Sequence, residues 1–179
     1  KTRAKEITGV EIQAEIADMA RRSVAMHGLE ERVRILHGDL REGIAGASGS
    51  VDVVSCNPPY MALRRGEQSQ ATSRAIARQE ICCSLEEAVN ETARLLKNGG
   101  RAYFVYRPHR LDELFAACNA ARLTPKRMKF AHPYSEREAN LVLLEAVKGG
   151  GSFLRVEAPI VVFRSPGVYS DEIRDIYGY

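Results

Sequence analysis

The sequence predicts an α/β fold built on a doubly wound, mostly parallel sheet, and three observations carry that expectation. Short apolar runs alternate with stretches of helical periodicity, the order expected of parallel strands joined by crossover helices. Glu11, Asp39 and Asn57 each stand at or just after the carboxyl end of an expected strand, where open α/β sheets bind their ligands. The length of 179 residues, 45% hydrophobic and 27% charged, suits one domain with its own core rather than two.

Ile7-Thr8-Gly9-Val10 reads as a first strand ending at Glu11. Ile12, Ile16, Met19 and the Ser23 to Met26 segment then share one helical stripe, with Gly28 placed to cap it. Val33 to His37 is a second strand, stopped by Gly38-Asp39, and Val51 to Cys56 is a third after a loop rich in Gly, Ser and Ala. Arg64 to Ser73, polar and without a period, is expected to be a mobile loop. Ser84 and Glu87 have capping-box spacing, Leu85, Ala88, Thr92, Leu95 and Leu96 form the apolar stripe that follows, and Asn98-Gly99 is expected to end that helix. Arg101 to Tyr106 follows as a strand and Leu111 to Cys118 as a helix. Lys126 to Ala131 and Asn140 to Ala146 form a late strand pair that brings an antiparallel member into the sheet. Gly149-Gly150-Gly151 is expected to be a flexible break before one more strand at Ile160 to Phe163. Residues 149–179 are expected to pack as a C-terminal extension on a single domain spanning 1–179.

Composition narrows the function classes. No apolar run is long enough to cross a bilayer as a helix, and Lys1 to Glu6 has no apolar core or cleavage pattern, so a cytoplasmic protein is expected. Cys82 and Cys83 are adjacent, while Cys56 and Cys118 lie far apart. That spacing suits neither a zinc site nor a disulfide framework, so reduced thiols and no bound metal are expected. A net charge of +3 admits an anionic partner without requiring one.

The candidate site begins with the strand-end residues. Glu11 has the type and place to accept hydrogen bonds from two ribose hydroxyls, and Asp39 could accept from the exocyclic amino group of an adenine. Taken singly, each reads as well as a solvated carboxylate or an Asx-turn residue. In series with Asn57 they fit an adenosine laid across strand ends. Asn57-Pro58-Pro59-Tyr60 is the most specific motif. The Asn57 side-chain oxygen and the Pro58 carbonyl can accept from both N–H groups of a planar amino group. Those bonds draw its delocalised nitrogen toward tetrahedral geometry as it attacks carbon. The two prolines fix φ and remove backbone donors, and Tyr60 can stack on a flat acceptor. A merely rigid turn is the plainer alternative, and the position directly after Asp52 to Cys56 weighs against it.

Val10-Glu11, Gly38-Asp39-Leu40 and Asn57-Pro58-Pro59-Tyr60 resemble successive motifs of the class I amino-group methyltransferases of the small-domain type. Arg78-Gln79-Glu80, Arg107 to Leu111 and the Tyr169 to Tyr179 region look similar to bacterial tRNA(Val) adenine-N6 methyltransferases within that group. The resemblance implies a Rossmann-like sheet and S-adenosyl-L-methionine as cofactor. Glu11 would hold its ribose, Asp39 and the Leu40 backbone its adenine, and Ile12 and Asn57 would also belong to the cofactor site. Asn57, Pro58, Pro59 and Tyr60 would form the catalytic grip on the amino group. The family's first strand and its Gly-rich loop have no counterpart ahead of Ile7, so these residues are expected to be the later part of a longer chain.

Tyr60, Arg64, Arg65, Arg107 and Arg110 are expected to form a rim for a structured RNA, tRNA above all. Lys126 to Lys129 read instead as a solvated face of an edge strand, and His37 and His132 as packed or surface residues rather than ligands. A protein glutamine amide presents the same planar amino group as adenine, so the motif leaves that acceptor open. It also leaves open an RNA-binding module of this fold without activity.

Overall fold

The computed structural model describes residues 4–44, 46–58 and 83–178. Strands β1 (Ile7–Glu11) and β2 (Val33–His37) pair in parallel, with Ile7 opposite Val33 and Glu11 opposite His37. The crossover between them is α1 (Ala14–Met26), and Gly28 turns the chain out of it at a φ of 60°. That left-handed conformation is open to glycine at no steric cost.

The larger sheet holds β3 (Val51–Cys56), β4 (Leu96–Tyr106), β5 (Leu123–His132), β6 (Leu141–Lys148) and β7 (Arg155–Val156), in the order β3-β4-β6-β5-β7. A further short strand, β8 (Ile160–Val161), also pairs with β5. The pairs β3–β4, β5–β7 and β5–β8 are parallel, and β6 alone runs against its neighbours. This matches the expected mostly parallel sheet with one late antiparallel strand. A hairpin of β9 (Phe163–Ser165) and β10 (Val168–Tyr169) follows.

Period-2 alternation sends one set of side chains to each face of this sheet. Ala102, Phe104 and Tyr106 of β4, with Val142 and Leu144 of β6, are buried with Val89 of α2 (Leu85–Leu95) and Leu114 and Cys118 of α3 (Leu111–Ala120). On the other face Ala131 and Ile160 meet Ile173 of α4 (Asp171–Tyr177), with Leu141, Leu143 and Val162 against them. The sheet is thus wound on both faces. Among the described residues no helix is long and apolar enough to cross a membrane.

The start of α2 follows the expected capping box. Ser84 Oγ accepts from Glu87 N at 3.1 Å, and Glu87 Oε2 accepts from Ser84 N at 2.7 Å. Ser84→Ala removes one of these bonds and is expected to cost about 1 kcal/mol. Urea denaturation checks it, and an unmoved midpoint would show that the cap adds nothing.

Four expectations need correction. Helix α2 stops at Leu95 rather than at Asn98-Gly99, because Leu96 already takes extended backbone and begins β4. Asn98-Gly99 falls inside that strand's span, where Gly99 has a φ of 77° and the register with β3 shifts. The α1 stripe is not a buried face: Ile16 and Met19 are 43% and 56% exposed, and only Ala17 of the helix is buried. Gly149 to Gly151 form a bonded turn and not a flexible break. Gly149 N donates to Arg122 O at 3.0 Å, and the Gly150 carbonyl accepts from Thr124 Oγ1 at 2.7 Å. Finally, Lys126 to Lys129 do not line an edge strand, since β5 is paired on both sides. Arg127 instead bridges the buried Glu145 at 3.1 Å and Glu157 at 2.7 Å, while Arg101 reaches Glu145 from β4 at 3.2 Å. Two guanidinium partners offset the desolvation that a lone buried carboxylate would suffer.

Candidate active site

The carboxyl ends of β1 and β2 are tied together by short-range bonds. Gly38 N donates to the Glu11 carbonyl at 3.0 Å, and His37 Nε2 lies 3.2 Å from the Ile12 carbonyl. Glu11, Ile12, Asp39 and Leu40 are all half-buried and meet at this edge. The Glu11 side chain accepts from Gln13 N through Oε1 at 2.8 Å, which turns its carboxylate back over the start of the loop into α1.

Asp39 caps a 3-10 turn, Leu40–Glu42. Its Oδ1 accepts from Arg41 N at 2.9 Å, and Arg41 Nε lies 3.0 Å from both carboxylate oxygens. Arg41 Nη2 donates to Oδ2 at 2.5 Å. The Arg41 side chain, and then its backbone N–H, hold the Asp39 carboxyl below the usual carboxylate range, so it is an anion at neutral pH. Reading by motif missed Arg41. The only signal was an arginine two residues beyond an Asx-turn aspartate.

Asn57 and Pro58 follow β3 directly. Asn57 is exposed and Pro58 buried, so the ring anchors the turn. The Cys56 thiol, one residue earlier, is pushed up to about 11 by burial and secondarily by Cys83. It therefore stays protonated beside Asn57 and is no nucleophile at neutral pH. Because Cys56 lies opposite Phe104 in a parallel pair, the ends of β3 and β4 share an edge and bring the segment after Tyr106 toward Asn57. There Arg107 Nη1 donates to the Asn140 carbonyl at 3.0 Å. Arg110 grips Glu113 through Nε at 3.0 Å and Nη2 at 2.6 Å, and its guanidinium lies 5.4 Å from the Tyr106 ring centroid. Both arginines are held in place within the fold.

Among the described residues no strand pairs with both β1 and β3. The link between the two sheets is the loop after Asp39, which runs along α2: Arg94 Nη2 donates to the Ile44 carbonyl at 3.3 Å, and Gly49 N donates to the Arg94 carbonyl at 2.9 Å. Ser50 N donates to the Leu95 carbonyl at 3.1 Å and so delivers the chain into β3. The structure thus groups Glu11, Ile12, Asp39 and Leu40 at one strand pair, and Asn57, Pro58, Arg107 and Arg110 at another. Pro59, Tyr60, Arg64, Arg65 and Arg78-Gln79-Glu80 lie outside the described residues, as does the expected loop from Arg64 to Ser73. Among the described residues no group of three or more His, Cys, Asp or Glu side chains could hold a metal ion.

A mixed sheet wound on both faces, with an amide residue at a strand's carboxyl end and acidic residues at the ends of a separate parallel strand pair, fits the architecture of the class I S-adenosylmethionine-dependent methyltransferases. The chain has that fold, and in sequence it is similar to amino-group methyltransferases. A crystal structure of a predicted O-methyltransferase from Agrobacterium tumefaciens superposes with a TM-score of 0.74 at 21% identity, over 97% of this chain and 77% of that one. A tRNA1(Val) (adenine(37)-N6)-methyltransferase of Vibrio vulnificus is 32% identical over 99 residues, 55% of this chain and 40% of the relative. A ribosomal protein uL3 glutamine methyltransferase of Neisseria meningitidis is 38% identical over 56 residues, 31% of this chain and 18% of the relative. The matched segments thus span well under half the length of these curated relatives. No family model matches the chain.

Proposed function

We propose that the protein is an S-adenosylmethionine-dependent N-methyltransferase acting on an exocyclic amino group, with adenine N6 in a structured RNA, tRNA foremost, as acceptor. The observation that carries this reading is an exposed Asn57 anchored by a buried Pro58 at the carboxyl end of a parallel strand. The residues at the ends of β1 and β2 suit the cofactor. Glu11 and Asp39 supply two carboxylates, with the Ile12 and Leu40 backbones between them, for the donors of a ribose and an adenine. When bound, S-adenosylmethionine supplies an activated methyl group and its own leaving group.

The chain's part is positioning and hydrogen bonding. Asn57 Oδ1 and the Pro58 carbonyl accept from the acceptor's two N–H groups and orient its lone pair. In the sequence Tyr60 follows this turn and would stack on the flat group. Arg64, Arg65, Arg107 and Arg110 would meet phosphates, with Arg110 sharing its charge between Glu113 and the RNA. The wider match to the adenine-N6 relative, 55% of this chain against 31% for the glutamine relative, favours a base over an amide. The glutamine amide is the second reading, supported by the identity of that shorter segment.

Incubating the full-length protein with methyl-labelled cofactor and either total tRNA or ribosomal protein uL3 tests both. Label recovered as N6-methyladenosine is the expected result. Label recovered as N-methylglutamine would transfer the assignment to protein, and no label in either would remove it.

A further inference from the structure

We propose that Arg41 is a positioning residue for cofactor recognition, holding the Asp39 carboxylate ionised and in one rotamer for the adenine amino group. The inference rests on the cofactor reading of Asp39 given above. Three donors from Arg41 reach Asp39: the backbone N–H at 2.9 Å from Oδ1, the Nε–H shared at 3.0 Å between both oxygens, and an Nη2–H at 2.5 Å from Oδ2. The fork is planar and charged, so it fixes the rotamer as well as the ionisation of its partner. The 3-10 turn keeps the two residues in register, because its first turn is the one that Asp39 caps and Gly43 closes it at a φ of 74°.

The consequence is selectivity. A fixed anion takes an N–H donor and repels a carbonyl oxygen, so a 6-amino purine fits where a 6-oxo purine does not. Without Arg41 the carboxylate is free to turn toward water, and both the affinity and the discrimination fall. The double variant separates an effect that runs through Asp39 from a general effect of Arg41 on the fold. The Arg41 side chain is 41% exposed, so it is no part of the buried core.

The test measures dissociation constants of S-adenosylhomocysteine and S-inosylhomocysteine by calorimetry on the full-length protein. Wild type is compared with Arg41→Ala, Arg41→Lys, Asp39→Asn and the Asp39→Asn, Arg41→Ala double variant. Asp39→Asn and Arg41→Ala are each expected to weaken S-adenosylhomocysteine roughly 10-fold, the scale of one charged hydrogen bond. Arg41→Lys should recover part of this, since an ammonium keeps the charge without the fork. In the Asp39→Asn background, Arg41→Ala should add less than about 2-fold, because coupled residues are not additive. Preference for the adenosyl over the inosyl compound should fall in Arg41→Ala. If Asp39→Asn weakens binding while Arg41→Ala leaves it unchanged or tightens it, the positioning role is wrong and the cofactor reading stands. Full additivity of the two changes would also overturn it. If Asp39→Asn has no effect, the adenine assignment of Asp39 fails and this inference falls with it.

Discussion

Asn57→Ala is expected to lower kcat roughly 10²- to 10³-fold, the loss seen when one preorganised hydrogen-bonding group that serves the transition state is removed. Asn57 would bond the acceptor nitrogen most strongly as that nitrogen becomes tetrahedral, so the change should appear in kcat more than in cofactor affinity. The fold should not suffer. Asn57 is exposed, while the anchoring of the turn falls to the buried Pro58, so the stability loss should not exceed that of a single hydrogen bond, about 1 kcal/mol. Asn57→Asp keeps an acceptor at the same place and should lose less. Single-turnover rates on the methyl-accepting RNA, with a denaturation curve for each variant, check these points. A variant that kept half or more of the wild-type rate at unchanged stability would end the assignment of Asn57 to the chemistry.

How far the sequence could be read depended on how local each signal was. The capping box of α2 was legible because both of its bonds join Ser84 and Glu87, three residues apart. Strands β2 and β3 were legible because an apolar run bounded by Gly, Ser or Asn-Pro has few other readings. The placing of Glu11, Asp39 and Asn57 at strand ends followed from the same boundaries. The end of α2 was misjudged because Asn-Gly marks a turn without saying whether it closes a helix or interrupts a strand. The setting of β5 was misjudged for a different reason. Its outer partner β7 is two residues, too short to show a period, and the strand expected at Ile160 to Phe163 carries no signal of which strand it pairs with, so Lys126 to Lys129 looked like a free edge. Periodicity also says that Ile16 and Met19 share a face of α1, but not what that face meets. Arg41 shows a limit of another kind. Its role depends on a side-chain fork closing back over two residues, and no spacing rule distinguishes that arginine from a solvated one.

The largest stability loss is expected from Phe104→Ala. Phe104 is 1% exposed and sits in the middle of β4, opposite Cys56 on one side and Leu144 on the other. It lies on the face buried under α2 and α3, in the same cluster as Val89 and Leu114. Truncation removes the ring's transfer free energy and leaves a cavity that a central strand, paired on both sides, relaxes into poorly. The cost is expected to be about 3–5 kcal/mol, a large part of the roughly 5–15 kcal/mol that holds an ordinary domain folded. Val53→Ala on β3 is the control. Val53 is 53% exposed, and its loss should stay within about 0.5 kcal/mol. Urea midpoints of the two variants give the comparison, and equal shifts would show that the packed face does not dominate stability. Methyl transfer in Phe104→Ala should fail at lower urea than in wild type, because the residue opposite Phe104 is Cys56, which precedes Asn57 in the chain. Activity that outlasted the loss of structure in that titration would mean that the turn at Asn57 does not depend on the β3–β4 pair for its position.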